Sequence, residues 1–427
     1  MTRTRQDIQA ATDPYRLLAG WADSGRAARF TDHCHRYGPL PDGQLVDAVD
    51  AAGLRGRGGA GFPTGRKLRA VAASGRGAVV IANGCEGEPA SDKDYTLLTL
   101  APHLVIDGAI LAAHAVGATD VVLCVHRDDE LVDSVTAALR ERPMGEPHVR
   151  LVGVPPRYVA SEESALVHFV NSGDARPTSK PPRPFERGVD GRPTLVDNVE
   201  TLAHIALIAR YGPAWFRGCG TEDSPGTAML TVSGAVTRPG VYEAALGIPL
   251  GAALRLAGGL REPVHAVLVG GYGGTWLPLP AADGVRLAHR ELRAAGASLG
   301  VGSLVVLPAT TCGIAETAHV LRYLAGESAA QCGPCMFGLP AIAEDFQRLV
   351  VGAEGGTAAL HRLQKRLGVI SGRGACAHPD GAVRLAASAL RTFGTDLRHH
   401  AAGHPCRWAG RTTLPIPGWH QRSGGWR

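Results

Sequence analysis

This chain is short of several things, and each shortage excludes something. No apolar run reaches the roughly 18 residues a membrane-crossing helix needs, so any membrane role would be peripheral and go through partners. The opening Met-Thr-Arg-Thr-Arg-Gln has no apolar core of a secretory signal, and the expected location is the cytoplasm. Neither sign of charge collects in blocks. The net +5 is spread along the chain, which gives no case for nucleic acid. Internal repeats are absent. The nine cysteines are an odd number in a long chain without a signal, which argues against a disulfide framework. Reduced thiols are expected, most of them as small buried residues.

What is present is a globular composition. The chain has 427 residues, 45% of them hydrophobic, enough for two or three domains. Its 56 glycines and 29 prolines imply many loops. Short β-branched runs near 78–82, 120–125 and 148–152 alternate with alanine-rich stretches such as 104–118. That alternation predicts a mostly parallel α/β sheet. Near residue 227 the pattern changes to short strands (229–233, 240–243, 266–269) separated by Gly and Pro turns. From Cys312 onward the spacing is helical. The tail after about 400, rich in Gly, Arg, Trp and Pro, is expected to be poorly ordered, and residues 1–45 carry no motif.

The densest signal is Gly53-Leu-Arg-Gly-Arg-Gly-Gly-Ala-Gly-Phe-Pro-Thr-Gly-Arg-Lys67, with six glycines in thirteen residues. Glycine lets backbone N–H groups crowd around an anion. Pro63 and Thr64 then suit the opening of a helix, whose N-terminus favours phosphate. A plain glycine-rich surface turn is the alternative. After the first strand comes Asn83-Gly-Cys-Glu-Gly-Glu-Pro89, then Lys93-Asp94. Ligands gather at the carboxyl ends of strands in such sheets, although a solvated loop would look the same. Glu162-Glu163 before an apolar run reads equally as the first turn of a helix. Cys332-Gly-Pro-Cys335 alone reads as a dithiol redox pair, but no thioredoxin-like alternation surrounds it and Cys376 would be unexplained. His33 and His35 beside Cys34, and His399, His400 and His404 near Cys406, match no ligand spacing. All five are expected to be solvated.

Taken in order, these motifs resemble the flavin- and NADH-binding subunit of respiratory complex I and its relatives in NAD-linked hydrogenases and formate dehydrogenases. The resemblance covers residues 46 to about 400. It implies an α/β fold with a Rossmann-like FMN-binding domain (46–212), a soluble-ligand-binding β-grasp domain (225–310) and a helical-bundle iron–sulfur domain (311–400). Residues 1–45 and 401–427 would flank them. The cofactors implied are FMN and an iron–sulfur cluster, most simply [4Fe–4S], with NADH or NADPH as substrate. Hydride would pass to the flavin and single electrons to the cluster.

Carried over residue by residue, the flavin and nucleotide site would comprise Gly56, Gly58, Gly59, Gly61, Phe62, Lys67, Asn83, Glu86, Glu88, Tyr158, Glu162, Glu163, Lys180, Asn198 and Thr201. Glu88 and Glu163 would shape the nicotinamide pocket, while Arg55, Arg57 and Lys67 would offset phosphate charge. The cluster ligands would be Cys332, Cys335 and Cys376. Ala329 stands where the family has its first cysteine, so a fourth ligand such as His378, or a [3Fe–4S] centre, is implied. Other departures are Cys85 for Asp, Ser161 for Gly, Arg183 for Phe and Asp197 for Asn. No second Cys-x2-Cys run exists to carry electrons onward. A ferredoxin-like or other electron-transfer subunit would accept them. The alternative is a diverged relay or scaffold subunit that does not use NADH.

Overall fold

The run Ala-Val-Val-Ile-Ala, small or β-branched throughout, forms the strand β1 (Ala78–Asn83), buried along nearly its whole length. Val80 and Ala82 point into one core while Val79 and Ile81 point into another, the period-two consequence of a pleated strand covered on both faces. The computed structural model describes residues 16–19, 21, 25–74, 77–127, 130–143, 148–352, 354–417 and 425–427. β1 lies in a four-stranded sheet with β2 (Ala118–His126), β3 (Val149–Val154) and β4 (Thr194–Asn198), in the order β3-β2-β1-β4 with every pairing parallel. Helices Pro102–Val116 and Val199–Arg217 cover one face and helix Glu163–Ser172 the other. The first two cross so closely that a Cβ on Gly108 would strike the Leu202 backbone.

A second sheet follows, built from β5 (Thr227–Gly234), β6 (Gly240–Ala245), β7 (Val264–Val269), β8 (Thr275–Pro278) and β9 (Ser303–Pro308) in the order β6-β5-β9-β7-β8. Val267 and Val269 face its own core, whereas Ala266 and Leu268 face a third core shared with the C-terminal helices. Trp276 fastens the two together. Its backbone N–H donates to Ser388 Oγ (3.0 Å), its indole N–H to Thr317 Oγ1 (3.1 Å), and its ring meets Phe393 edge-on. Helices Gly313–Gly326, Leu339–Val350, Gly356–Ile370, His378–Thr392 and Gly394–Ala401 make the third unit. The α/β class with a β-grasp sheet and a helical third unit is therefore the architecture adopted. Among the described residues no single helix is long and apolar enough to cross a membrane. The bent pair Lys93–Leu100 and Pro102–Val116, turned through 96°, contributes heavily to the first core.

Two expectations about the periphery are corrected. The tail is not loose at residues 401–417. Buried Glu316 accepts from Thr413 N–H, Thr413 Oγ1 (2.8 Å) and Leu414 N–H (3.4 Å), and Tyr272 OH bonds Pro415 O. Farther on, Ala175 N–H donates to Trp426 O (2.8 Å) and Arg157 lies over the Trp426 ring. Composition does not disclose this because each anchor is remote in sequence. Nor are all five histidines solvated. His35, His399 and His404 are exposed, but His33 is buried against Asp107 (2.8 Å) and His400 is fully enclosed. Residues 1–15 lie outside the described residues. The remainder of the flank contributes the helix Phe30–Tyr37.

Candidate functional site

From β1 the chain proceeds to β2 and β3 on one side, and β4 is added on the other. The order thus reverses between β1 and β4, and a crevice opens at the carboxyl ends of strands at such a point. Asn83 and Asn198 end those two strands and sit in register with each other. Asn198 caps the helix Val199–Arg217. Its Oδ1 accepts from Glu200 N–H (3.0 Å) and Lys93 Nζ (3.1 Å), and its Nδ2 donates to Asp94 Oδ2 (2.7 Å) and Asn83 O (3.3 Å). Lys93 Nζ also meets Asp94 Oδ1 at 2.6 Å and Glu200 Oε2 at 3.0 Å. Burial pulls this ammonium down, but Asp94, Glu200 and Glu86 outweigh it and hold it above the usual lysine range. Asn198 is the hub of the crevice floor. Lys93, Asp94 and Glu200, absent from the expected set of site residues, complete it. The Lys93-Asp94 pair beside the acidic loop is the sequence signal for two of them.

The glycine loop reaches this floor from the helix Leu45–Ala52, which ends at left-handed Gly53. Gly56 N–H donates to Phe62 O and Thr64 N–H to Leu54 O, both at 2.9 Å, and Gly59 and Gly61 take φ of +111° and +62°. Gly58 lies against Asn198, where an added Cβ would come within 3.3 Å. Arg57 N–H donates to Thr201 Oγ1 (2.9 Å), so Thr201 anchors the loop. The Arg57 side chain departs from the expected phosphate role. It is 4% exposed and turns inward to Thr227 O (2.9 Å) and Glu200 (3.8 Å), because only there is its buried charge matched. Arg55 bonds Gly61 O (3.2 Å) within the loop. Phe62 stands 46% exposed with the Arg66 guanidinium over its ring. A cavity of about 140 Å³ lies where the loop meets the β-grasp unit, lined by Gly56, Gly59 and Gly61 together with His289 and Val301.

The acids fall into two groups. Glu86 caps the helix Lys93–Leu100, accepting from the N–H groups of Lys93 (3.0 Å), Asp94 (3.1 Å) and Tyr95 (3.0 Å) and from Ser91 Oγ (2.5 Å). Glu88 joins three segments, accepting from Tyr272 N–H (2.8 Å), Tyr158 OH (3.1 Å) and Ala90 N–H (3.3 Å). Burial pushes both carboxyls up to about 7. The second group is a string of alternating charge. Asp197 Oδ1 lies 3.3 Å from Lys67 Nζ, which lies 3.9 Å from Glu163, and Lys180 Nζ sits 2.7 Å from both Glu163 and Glu162. Asn83 Nδ2 donates to Ser161 O (2.9 Å), which draws this group against β1. Cys85 is buried beside it, its N–H on Asn83 Oδ1 (3.1 Å). Asp197 Oδ2 is buried and has no hydrogen-bond partner among the described residues.

Cys332 and Cys335, before the helix Leu339–Val350, approach Cys376, before the helix His378–Thr392. The N–H groups of Cys335 and Met336 share the Cys332 carbonyl at 3.0 and 2.9 Å. The Cys335 thiol is pushed up to about 12 by burial and then by Cys332 and Cys376. Cys376 is raised by burial and also feels Glu162 and Lys180, so this group adjoins the crevice. Ala329 offers no donor there. His378 gives its Nε2–H to Leu324 O (2.8 Å), which leaves Nδ1 buried without a partner among the described residues. Tyr158 bridges the two groups. Its N–H bonds Glu327 Oε2 (2.9 Å), and its ring meets Tyr323 and His378.

Three family models match the chain in the order of its three units. The family described as the Nuo51 FMN-binding domain matches residues 49–207, the SLBB domain 229–275, and the NADH-ubiquinone oxidoreductase-F iron-sulfur binding region 315–400. The second F subunit of the NADH-quinone oxidoreductase of Rhizobium meliloti (strain 1021) is 33% identical over 388 residues, covering 86% of this chain and 90% of that one. The corresponding F subunit of Mycobacterium tuberculosis (strain ATCC 25618 / H37Rv) is 32% identical over 397 residues, covering 88% and 89%. The chain belongs to the F-subunit family of NADH-quinone oxidoreductases. Among solved structures, a chain of an NAD+-reducing [NiFe]-hydrogenase in the H2-reduced state superposes with a TM-score of 0.76 at 33% identity, over 85% of this chain. This chain spans only 63% of that hydrogenase chain.

Family membership makes FMN and an iron–sulfur cluster the cofactors to fit. The crevice suits the flavin. Unpaired Asp197 Oδ2 is the acceptor a flavin N–H or ribityl hydroxyl requires, since a buried polar atom is seldom left unsatisfied. The glycine loop and half-buried Lys67 suit its phosphate. The cysteine group suits a cluster held by three thiolates, with the His378 lone pair nearby.

Proposed function

We propose that this member of the NADH-quinone oxidoreductase family oxidises NADH and passes the electrons to an external acceptor. The observation that carries the reading is that Tyr158, whose hydroxyl donates to Glu88 Oε2 (3.1 Å), packs its ring against His378, two residues after Cys376 (centroids 5.4 Å apart), which supports flavin and cluster sites lying close together. Residues 46–212, 225–310 and 311–400 would act as the flavin, β-grasp and cluster domains. When bound, FMN accepts hydride from a reduced nicotinamide and yields electrons one at a time to the cluster.

The chain's own residues do the positioning. The glycine loop, fixed by Thr201, presents backbone N–H groups to phosphate. Phe62 offers an exposed ring on which a base can stack. Exposed Arg183, which acts on Glu163, adds a planar cation on the Glu163 side of the crevice, which suits a dinucleotide bearing an extra phosphate as well as one without it. Lys67 and Lys180 each stand between acids, so the crevice keeps positive charge without an unpaired buried cation. Glu163, held by Lys180 (2.7 Å), would border the nicotinamide. Glu88, poised at about 7, can hold a proton near neutral pH at Oε1, which accepts only the long bond from Ala90 N–H. The cluster would be held by Cys332, Cys335 and Cys376. A ferredoxin-like or other electron-transfer subunit would take the electrons, with the assembly in the cytoplasm and any membrane association through partners.

An anaerobic absorption spectrum of the purified protein, before and after NADH and then NADPH, tests this. Flavin and iron–sulfur bands that one nucleotide bleaches are the expected result and identify the donor. Bands that neither nucleotide bleaches would leave a relay subunit and end the NADH reading.

A further inference from the structure

Away from the flavin crevice and the cluster cysteines, Cys312, His400 and Cys406 bring two Sγ atoms and a ring nitrogen within 4.8 Å of one another. They arrive from three separate places. Cys312 is the N-cap of the helix Gly313–Gly326, His400 lies in the last turn of Gly394–Ala401, and Cys406 belongs to the tail. Cys312 and His400 are buried and Cys406 is half-buried.

The spacing of Cys312 and His400 is that of two ligands on one ion, and Cys406 lies within reach of the same point. Cys312 Sγ lies 3.6 Å from His400 Nε2. Tetrahedral zinc, with Zn–S of about 2.3 Å and Zn–N of about 2.0–2.1 Å, sets its sulfur and nitrogen donors about 3.6 Å apart and two sulfurs about 3.8 Å apart. The Leu349 carbonyl lies 3.0 Å from His400 Nδ1 and takes its proton. That fixes the tautomer in which Nε2 carries the lone pair, the arrangement found behind metal-binding histidines. Ala315 N–H points at Cys312 Sγ (3.4 Å), and Cys406 N–H lies 3.2 Å from His400 Nε2, where an arriving ion would take its place. Two sulfurs and an imidazole select zinc over the hard cations, which take oxygen.

We propose that Cys312, His400 and Cys406 form a zinc site of Cys2His type, with water on the fourth position at the half-buried Cys406 side. The ion would clamp the tail to the third unit, at a place independent of the iron–sulfur cluster. The tail is already held there by Glu316 and Tyr272, so zinc would add a third and stronger point of attachment.

Zinc and iron are counted by mass spectrometry on anaerobically purified holoprotein dialysed against zinc, and the zinc absorption edge reports the ligand shell. One zinc per chain is expected, with two sulfurs at about 2.3 Å and nitrogen or oxygen at about 2.0–2.1 Å. Cys406→Ser and His400→Gln should lose the zinc and keep iron and FMN, whereas Cys332→Ala should lose iron and keep zinc. Cys406→Ser alters a tail residue, so it reports even where Cys312→Ser fails to fold. Wild-type protein without zinc, full zinc in the Cys406→Ser/His400→Gln double variant, a shell without sulfur, or a Cys312–Cys406 disulfide in the anaerobic protein would each overturn the proposal.

Discussion

At Glu88 burial outweighs hydrogen bonding. The donors Tyr272 N–H, Ala90 N–H and Tyr158 OH favour the carboxylate, yet its carboxyl stands at about 7 against an ordinary 4.5. Between those values the folded chain holds a proton that the unfolded chain has released. Stability is therefore full below about pH 4.5, falls as pH rises towards 7, and has lost about 3–4 kcal/mol from this group beyond it. Glu86 adds the same sign over the same window. Denaturant titrations across that range should show the decline, and Glu88→Gln should remove a large part of it. An unchanged slope in the variant would mean that Glu88 ionises normally. Cys85 offers a second residue-scale test. Cys85→Asp places a carboxylate in a buried pocket. It should destabilise the FMN-free protein by about 1–3 kcal/mol, the cost of an unsatisfied buried polar group, and so lower its melting temperature. It should also tighten FMN about tenfold by supplying an acceptor. Fluorescence titration with FMN measures the second effect, and weaker binding would rule out Cys85 as a neighbour of the flavin ring.

Among the elements, the turn before the cluster cysteines carries visible strain. Ala330 takes φ of +51°, a region that costs an L-residue about 1–2 kcal/mol. Ala330→Gly should stabilise the protein by about 0.5–1 kcal/mol after the entropy lost by glycine is counted. Thermal unfolding with no gain, or with a loss, would contradict that. The elements themselves are largely legible in the chain. β1, β2 and the alanine-rich helix declare themselves through local periodicity, and Asn83 with its acidic loop follows from the end of a strand. Arg57 misleads because its partner Glu200 lies 143 residues away, and a basic residue in a glycine loop looks the same whether it faces phosphate or a buried acid. The tail and His400 mislead for the same reason. Thr413 meets Glu316 across 97 residues and Pro415 meets Tyr272 across 143, contacts that no window of sequence contains. The roles of Asn198 and Glu86 as hub and cap rest on neighbours that only the folded sheet end assembles.

For the whole molecule, the buried network of Lys93, Asp94, Asn198, Glu200 and Arg57 links the sheet end to the β-grasp unit, where Glu200 accepts from Met229 N–H (3.0 Å) and Arg57 donates to Thr227 O. Lys93→Met leaves Asp94 and Glu200 short of a cation and should cost about 3–5 kcal/mol. Adding Asp94→Asn and Glu200→Gln should recover part of it. A single variant as stable as wild type, judged by denaturant midpoint, would show that the charges are not mutually dependent.

Tyr158 is held on every side, by Glu88 at its hydroxyl, Glu327 at its N–H, and Tyr323 and His378 at its ring. The two proposed cofactor sites are thereby joined through a wedge fastened at its hydroxyl, its backbone and its ring. Tunnelling probability decays exponentially with distance, so a joint that does not breathe makes the gap a constant. Internal transfer would then be set by driving force and reorganisation energy and be indifferent to the viscosity of the medium around it.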